Sequence, residues 1–204
     1  ILIRNDLVYK QITCPLTNLV EVMGIEIECD NKKLIIMNAY LPGGAKDSEV
    51  GRHFQSDLIS LTSTSDPFCI VGDLNAKHTD WHCCSNNAAG NILRTTSINN
   101  NFFVEHPGAY TYCPMSVHMS HSTIDLMLTN HKHELFNIYT RNIFSSDHVP
   151  VVAEIGISVE FVSKIKFNYR YADWPKFREI VNTKLDDIMT TAINSPADID
   201  KAVE

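Results

Sequence analysis

Residues 68–75 read FCIVGDLN: Phe68, Cys69, Ile70 and Val71, then Gly72, Asp73, Leu74 and Asn75. The short, partly β-branched apolar run predicts a buried strand that ends at its polar tip. Asp73 and Asn75 stand two apart, so an extended backbone would put both side chains on one side. An acid and an amide at a strand end are materials for phosphate and metal chemistry. Gly-Asp is also an ordinary way to leave a strand, and the functional reading gains weight only from acids further along.

Upstream, Ile1–Ile3 is strand-like and ends in a turn at Arg4, Asn5 and Asp6. Residues 19–29 alternate loosely, as a half-exposed strand bent at Gly24 does. Residues 34–40 form a more buried strand after a turn at 30–32. Ser48 is a candidate cap for a helix whose Val50, Phe54, Leu58 and Leu61 make one apolar stripe. Downstream come a polar loop at 76–90, a helix at 91–100, a short strand at 102–105 and a loop at 107–122. Strands at 123–129, 138–141 and 151–157 follow, with a turn or short helix at 131–136 and a loop at 144–150. Strands outnumber helices and some adjoin through hairpin turns. This predicts an α/β (α+β) fold with a mixed or antiparallel sheet and helices packed outside. The tail differs: 164–170 is basic with aromatics, and Asp173 caps an amphipathic helix carrying Trp174, Phe177, Val181, Leu185 and Ile188.

The 204 residues are enough for one sizeable core, and 44% apolar with 20% charged residues is ordinary for a globular protein. A net charge of −7 argues against a generally basic nucleic-acid binder. It does not exclude an enzyme that meets DNA locally through a metal ion. Six cysteines are too few for a disulfide scaffold, and Cys69 inside an apolar run reads as a buried thiol. A reducing compartment, cytoplasm or nucleus, is expected. No stretch approaches the ~20 apolar residues of a membrane span, so no membrane partner is expected. The chain opens without Met or a signal-peptide pattern, and is expected to start inside a domain.

Two further acids fall beside strands. Asp125 lies within the apolar run ILML around it, where a buried carboxylate costs several kcal/mol unless paired. Asp147 and His148 stand side by side in SSDHVP, just before the last strand. A carboxylate beside an imidazole fixes its tautomer and raises its basicity. Tyr40 ends a strand before the break at Leu41-Pro42, within reach of a phosphate oxygen. Acids with one histidine and no nucleophilic serine motif suggest metal-assisted attack of water on a phosphodiester. A zinc site in KHTDWHCC, from His78, His82, Cys83 and Cys84, is the weaker reading, because adjacent cysteines rarely suit one tetrahedral ion. His118 and His121 read as loop surface.

GDLN, the Tyr-x-Pro segment, TIDLML and SDHVP occur in the order and approximate spacing of the endonuclease/exonuclease/phosphatase superfamily, which includes DNase I and the apurinic endonucleases. ILIRNDL, NAYLP, GDLNAKHTDWHC, the Asn-x-x-Gly-x-x-Leu of residues 87–93 and YADWPKFRE resemble the endonuclease region of jockey-type non-LTR retrotransposons. The resemblance covers residues 1–157 as nuclease, with 158–204 like the connector toward a reverse transcriptase domain of the same polyprotein. It implies a four-layer, DNase I-like sandwich of two mixed sheets with helices outside. It implies Mg²⁺-dependent (or Mn²⁺-dependent) nicking of DNA in the nucleus, leaving a 3′-hydroxyl for reverse transcription.

Carried over residue by residue, Asp73 would orient or deprotonate the attacking water, or protonate the leaving oxygen. Asn75 would hold that water or a phosphate oxygen. His148, oriented by Asp125 or Asp147, would meet the scissile phosphate as base or charge stabiliser. Tyr40 and Thr111 would bond phosphate oxygens, Asp147 would approach the metal, and His78 and Trp81 would line the loop beside the site and touch DNA. The family's main metal ligand is a Glu on an earlier strand, and no acid here matches it. This chain resembles a member without its first two strands, and is expected to bind Mg²⁺ poorly and cleave little. The alternatives are a phosphatase of the same superfamily acting on inositol phosphates or lipids, and a non-catalytic nucleic-acid-binding remnant.

Overall fold

The computed structural model describes residues 1–29, 32–116, 118–131, 135–141, 146–156 and 172–190. The chain divides into two units, Ile1–Val162 and Ser163–Glu204. In the first, six strands form one mixed sheet in the order β1 (Tyr9–Ile12), β2 (Glu21–Cys29), β3 (Lys32–Tyr40), β4 (Phe68–Asp73), β6 (Asp125–Thr129), β5 (Phe103–Glu105). Only β3 and β4 run parallel; the other neighbours are antiparallel. The remaining strands, β7 (Leu135–Thr140) and β8 (Val151–Ile155), pair with each other antiparallel as a second, smaller sheet.

The parallel β3–β4 step needs a crossover, and α1 (Asp47–Glu49), a π-helical turn (Val50–Phe54) and α2 (Gln55–Thr62) supply it. The expected stripe holds: Val50, Phe54, Leu58 and Leu61 are buried in one core with Phe68, Ile70, Leu126 and Leu128. α3 (Ala88–Asn99) adds Ala89 and Leu93 to that core. The opposite face of the sheet buries Ile27, Cys69 and Met127 with Ile36 and Val71, and meets Ile138, Ala153 and Ile155 of the small sheet. The layers among the described residues are thus helix, mixed sheet and small sheet: the expected α/β fold with two sheets, but with the second sheet only two antiparallel strands rather than a mixed sheet, and no fourth layer described.

Some local expectations need correcting. Ile1–Ile3 is not a strand; only its turn is present, and the first strand is the exposed YKQI of β1. Register runs unbroken through Gly24, so β2 has no bulge there. The glycine is needed instead for space, since a Cβ would sit 3.0 Å from Cys14 Sγ and Ile12 Cδ1. The cap of the first helix is Lys46, not Ser48. In the second unit, Asp173 does cap α4 (Trp174–Thr190), accepting the Lys176 N–H at 3.0 Å. The basic stretch 164–170 lies outside the described residues. No described helix is long and apolar enough to cross a membrane.

Candidate active site

The register of β4 and β6 sets Asp73 directly opposite Asp125. Like charges facing each other across a ladder repel, so the pair needs a hydrogen-bond donor or cation. His148 supplies the donor. Its Nδ1 lies 3.0 Å and 3.2 Å from the two Asp125 carboxylate oxygens, and its Nε2 lies 4.0 Å from Asp73 Oδ2. An ionised carboxylate can only accept, so Nδ1 carries the hydrogen; in the neutral imidazole this leaves Nε2 with its lone pair toward Asp73.

His148 is held by backbone. The Val149 N–H donates to Thr111 O at 2.7 Å and the Cys113 N–H to Asp147 O at 2.6 Å, with a bridge between Tyr112 and His148. The Tyr112 ring lies 5.0 Å from the imidazole. These contacts fasten the loop before β8 to the segment at 111–113, and so carry His148 to the end of the six-stranded sheet.

Asp73 is half-buried. Burial pushes its carboxyl above the usual range; the Asn75 backbone N–H opposes this, the Asp125 charge adds to it, and His148 and the Asn75 amide oppose it. Asn75 does not reach Asp73 by continuing the strand. The strand ends at Asp73, and Asn75 turns into left-handed backbone at φ 43°. Its N–H then donates to Asp73 Oδ1 at 2.9 Å, an Asx-type turn. Its amide nitrogen donates to Asp73 Oδ2 at 3.2 Å and Leu41 O at 2.8 Å. Both amide hydrogens are therefore committed. Asn75 aims Asp73, and only its Oδ1 is left to accept from a water or hydroxyl; of the two expected roles, holding the water stays open and donating to a phosphate oxygen does not.

The gap between Asp73 Oδ2 and His148 Nε2 has a chemical size. One oxygen about 2.8 Å from each spans 4.0 Å at roughly a right angle. A single water fits that geometry with a hydrogen bond to each group.

The other expected residues divide. Tyr40, 41% exposed at the end of β3, has an accessible ring beside Leu41, whose N–H donates to Asp73 O at 2.9 Å. Thr111 is 0% exposed, and its hydroxyl accepts the Ile124 and Asp125 N–H groups at 3.0 Å and 3.1 Å. It anchors Asp125 from within, which replaces the expected phosphate contact. Trp81 is 1% exposed and its Nε1 donates to Ala76 O at 2.9 Å. His78 Nδ1 accepts the Asp80 N–H at 3.0 Å, and its ring packs on Trp81 at 4.9 Å. Trp81, an apolar indole in a polar loop, is drawn into the core and cannot make the expected DNA contact, while His78 stays half-buried beside it. Asp147 is exposed, and the Ser146 hydroxyl lies 3.4 Å from its Oδ1.

Sequence reasoning missed Tyr112 and Asn87. The Asn87 side chain accepts from Lys77 N at 2.9 Å and Gly90 N at 2.8 Å and donates to Asn75 O at 2.8 Å, tying α3 to the site loop. The Asn-x-x-Gly spacing was its visible signal. Cys83 Sγ exchanges contacts with the Thr123 backbone at 3.3 Å and 3.4 Å, so the KHTDWHCC side chains disperse. Among the described residues no group of three or more His, Cys, Asp or Glu side chains is placed to hold a metal ion. That leaves no ready-made three-donor site for the expected Mg²⁺ among the described residues.

Residues 34–152, more than half of the chain, match the model of the family described as endonuclease-reverse transcriptase. The fold is similar to the endonuclease domain of TRAS1, a telomere-specific non-LTR retrotransposon, at TM-score 0.60 and 18% identity over 74% of this chain and 70% of that one. It is also similar to the inositol polyphosphate 5-phosphatase domain of SPSynaptojanin, solved with inositol (1,4)-bisphosphate and calcium, at TM-score 0.50 and 14% identity over 89% of this chain and 62% of that one. No curated protein matches. The family match over β3 to β8, together with a DNase I-like fold that gathers Asp73, Asp125 and His148, has one consequence: this chain belongs to the endonuclease–reverse transcriptase family, within the endonuclease/exonuclease/phosphatase superfamily.

Proposed function

We propose that the chain is the DNA-hydrolysing part of a non-LTR retrotransposon polyprotein, working in the nucleus beside a reverse transcriptase domain of the same chain. The single observation that carries the reading is the line Asp125–His148–Asp73, with separations of 3.0 Å and 4.0 Å. A water in the gap donates one hydrogen bond to Asp73 and one to His148. Asp73, whose burial makes it a stronger base than an ordinary carboxylate, takes a proton as the water oxygen bonds to phosphorus. The P–O3′ bond breaks, and the 3′-oxygen takes a proton from solvent, leaving a 3′-hydroxyl and a 5′-phosphate. Asp125 keeps His148 in the tautomer that accepts at Nε2. Tyr40 faces the phosphate. Mg²⁺ or Mn²⁺ would add Lewis-acid chemistry; because the described donors do not make a site for it, we propose slow cleavage by these 204 residues alone.

Supercoiled plasmid in MgCl₂ tests the reading. Slow relaxation to nicked circles is expected, falling by about 100-fold or more in Asp73→Ala and in His148→Ala. Nicking that survives Asp73→Ala overturns the assignment. Phosphate release from phosphoinositides with no nicking selects the phosphatase alternative, and binding without nicking under either metal selects the non-catalytic one.

A further inference from the structure

Tyr110 and Tyr112 flank the buried Thr111 and both reach the surface. The Tyr112 ring packs 5.0 Å from His148. The Tyr110 ring has two exposed imidazoles beside it, His82 tilted at 5.1 Å and His121 edge-on at 5.5 Å. Its hydroxyl lies 3.9 Å from Cys84 Sγ. The mechanism uses none of Tyr110, His82, His121 and Cys84. They come from three separate segments, and Thr111 and Tyr112, next in the chain to Tyr110, are tied through backbone to the loop that bears His148.

Resting on the nuclease reading, we infer that Tyr110, braced by His82 and His121, is a stacking platform for an unpaired nucleobase on the strand whose phosphate lies at the Asp73–His148 gap. The chain is acidic overall, at −7, so the attraction that usually draws a protein to the phosphate backbone is weak. Stacking needs no charge: every base offers a π-face to an aromatic ring. The same rings offer no such match to an inositol or a lipid headgroup, which have no flat π-system. A base inside an intact duplex cannot reach the ring face, so the platform favours DNA that is single-stranded or opened beside the cleaved bond.

Fluorescence anisotropy on the full chain, with EDTA present so that the strand stays intact, tests this with two single-stranded probes of equal length. One is a mixed-sequence oligonucleotide; the other carries abasic residues throughout. The base-bearing strand is expected to bind about tenfold tighter. Tyr110→Ala is expected to remove most of that difference and leave abasic binding unchanged, Tyr110→Trp to restore it, and His121→Ala, at an exposed site, to reduce it in part. Equal binding of the two probes, equal loss of both in Tyr110→Ala, or no binding of either overturns the platform. Plasmid nicking on the same preparations separates the two ideas. Nicking with base-independent binding removes the platform and keeps the nuclease; base-dependent binding without nicking does the reverse.

Discussion

The Thr111 hydroxyl accepts two backbone N–H groups, Ile124 at 3.0 Å and Asp125 at 3.1 Å, while its carbonyl accepts Val149 at 2.7 Å. One residue thus fixes the strand bearing Asp125 and the loop bearing His148. Thr111→Val keeps the shape and removes the acceptor, stranding two buried donors at about 1–3 kcal/mol each. We expect denaturant unfolding to show a loss of roughly 2–4 kcal/mol, with Thr111→Ser close to the parent. A Thr111→Val chain as stable as the parent but weaker for DNA would return Thr111 to the phosphate. The contrast shows what was legible. Asp125 stood out because an acid in an apolar run contradicts its surroundings, and Asp73 and His148 because they punctuate strands. Thr111 and Trp81 were misread because nothing local tells a threonine in a loop which way its hydroxyl turns, or a tryptophan that the core lies beneath it.

Among the elements, α2 docks through a carboxylate rather than through its apolar stripe alone. Asp57 is buried and accepts the N–H groups of Asn18 at 2.9 Å, Leu19 at 2.8 Å and Val20 at 3.1 Å, with the Asn18 amide at 3.1 Å. Burial alone would push its carboxyl up, but these donors together outweigh it and hold it below 3.8. The folded value is the lower one, so the clasp stabilises fully above the unfolded value and is lost as pH falls through the folded one. Thermal melts from pH 6 to pH 2 should therefore fall most steeply below 3.8. Asp57→Asn sets an amide among donors and should cost about 2–4 kcal/mol near neutrality while flattening that acid limb. Parallel pH curves for the two proteins would mean that the clasp is idle. The α2 stripe was readable from its period, whereas Asp57 looked like any exposed acid on a helix. β1 was unreadable because YKQI has no buried face to pattern, three of its four residues being exposed.

At the scale of the molecule, the layering followed from strands outnumbering helices, but the division into a six-stranded and a two-stranded sheet did not, because pairing partners far apart in sequence leave no local trace. Between the two sheets lies a cavity of about 500 Å³, lined by apolar residues such as Val71, Met127 and Ile155 and by Asp125 and His148. Whether a cation settles near Asp73 and Asp125 is a property of the whole folded chain, and stability reports it. Both Asp125 oxygens face His148 Nδ1, and both Asp73 oxygens accept from Asn75. A dissociation constant of about 10 mM or weaker gives at most roughly 0.4 kcal/mol of stabilisation in 10 mM MgCl₂. In a chain of this size that amounts to about 1–2 °C of melting temperature. We therefore expect melts in MgCl₂ and in EDTA to agree within that margin. A rise beyond about 5 °C implies a submillimolar site and would overturn the reading that the described residues lack one. Agreement between the melts, combined with nicking that still needs Mg²⁺, would mean that the ion arrives coordinated by the DNA phosphate, as Mg²⁺ commonly does when a protein offers few ligands of its own.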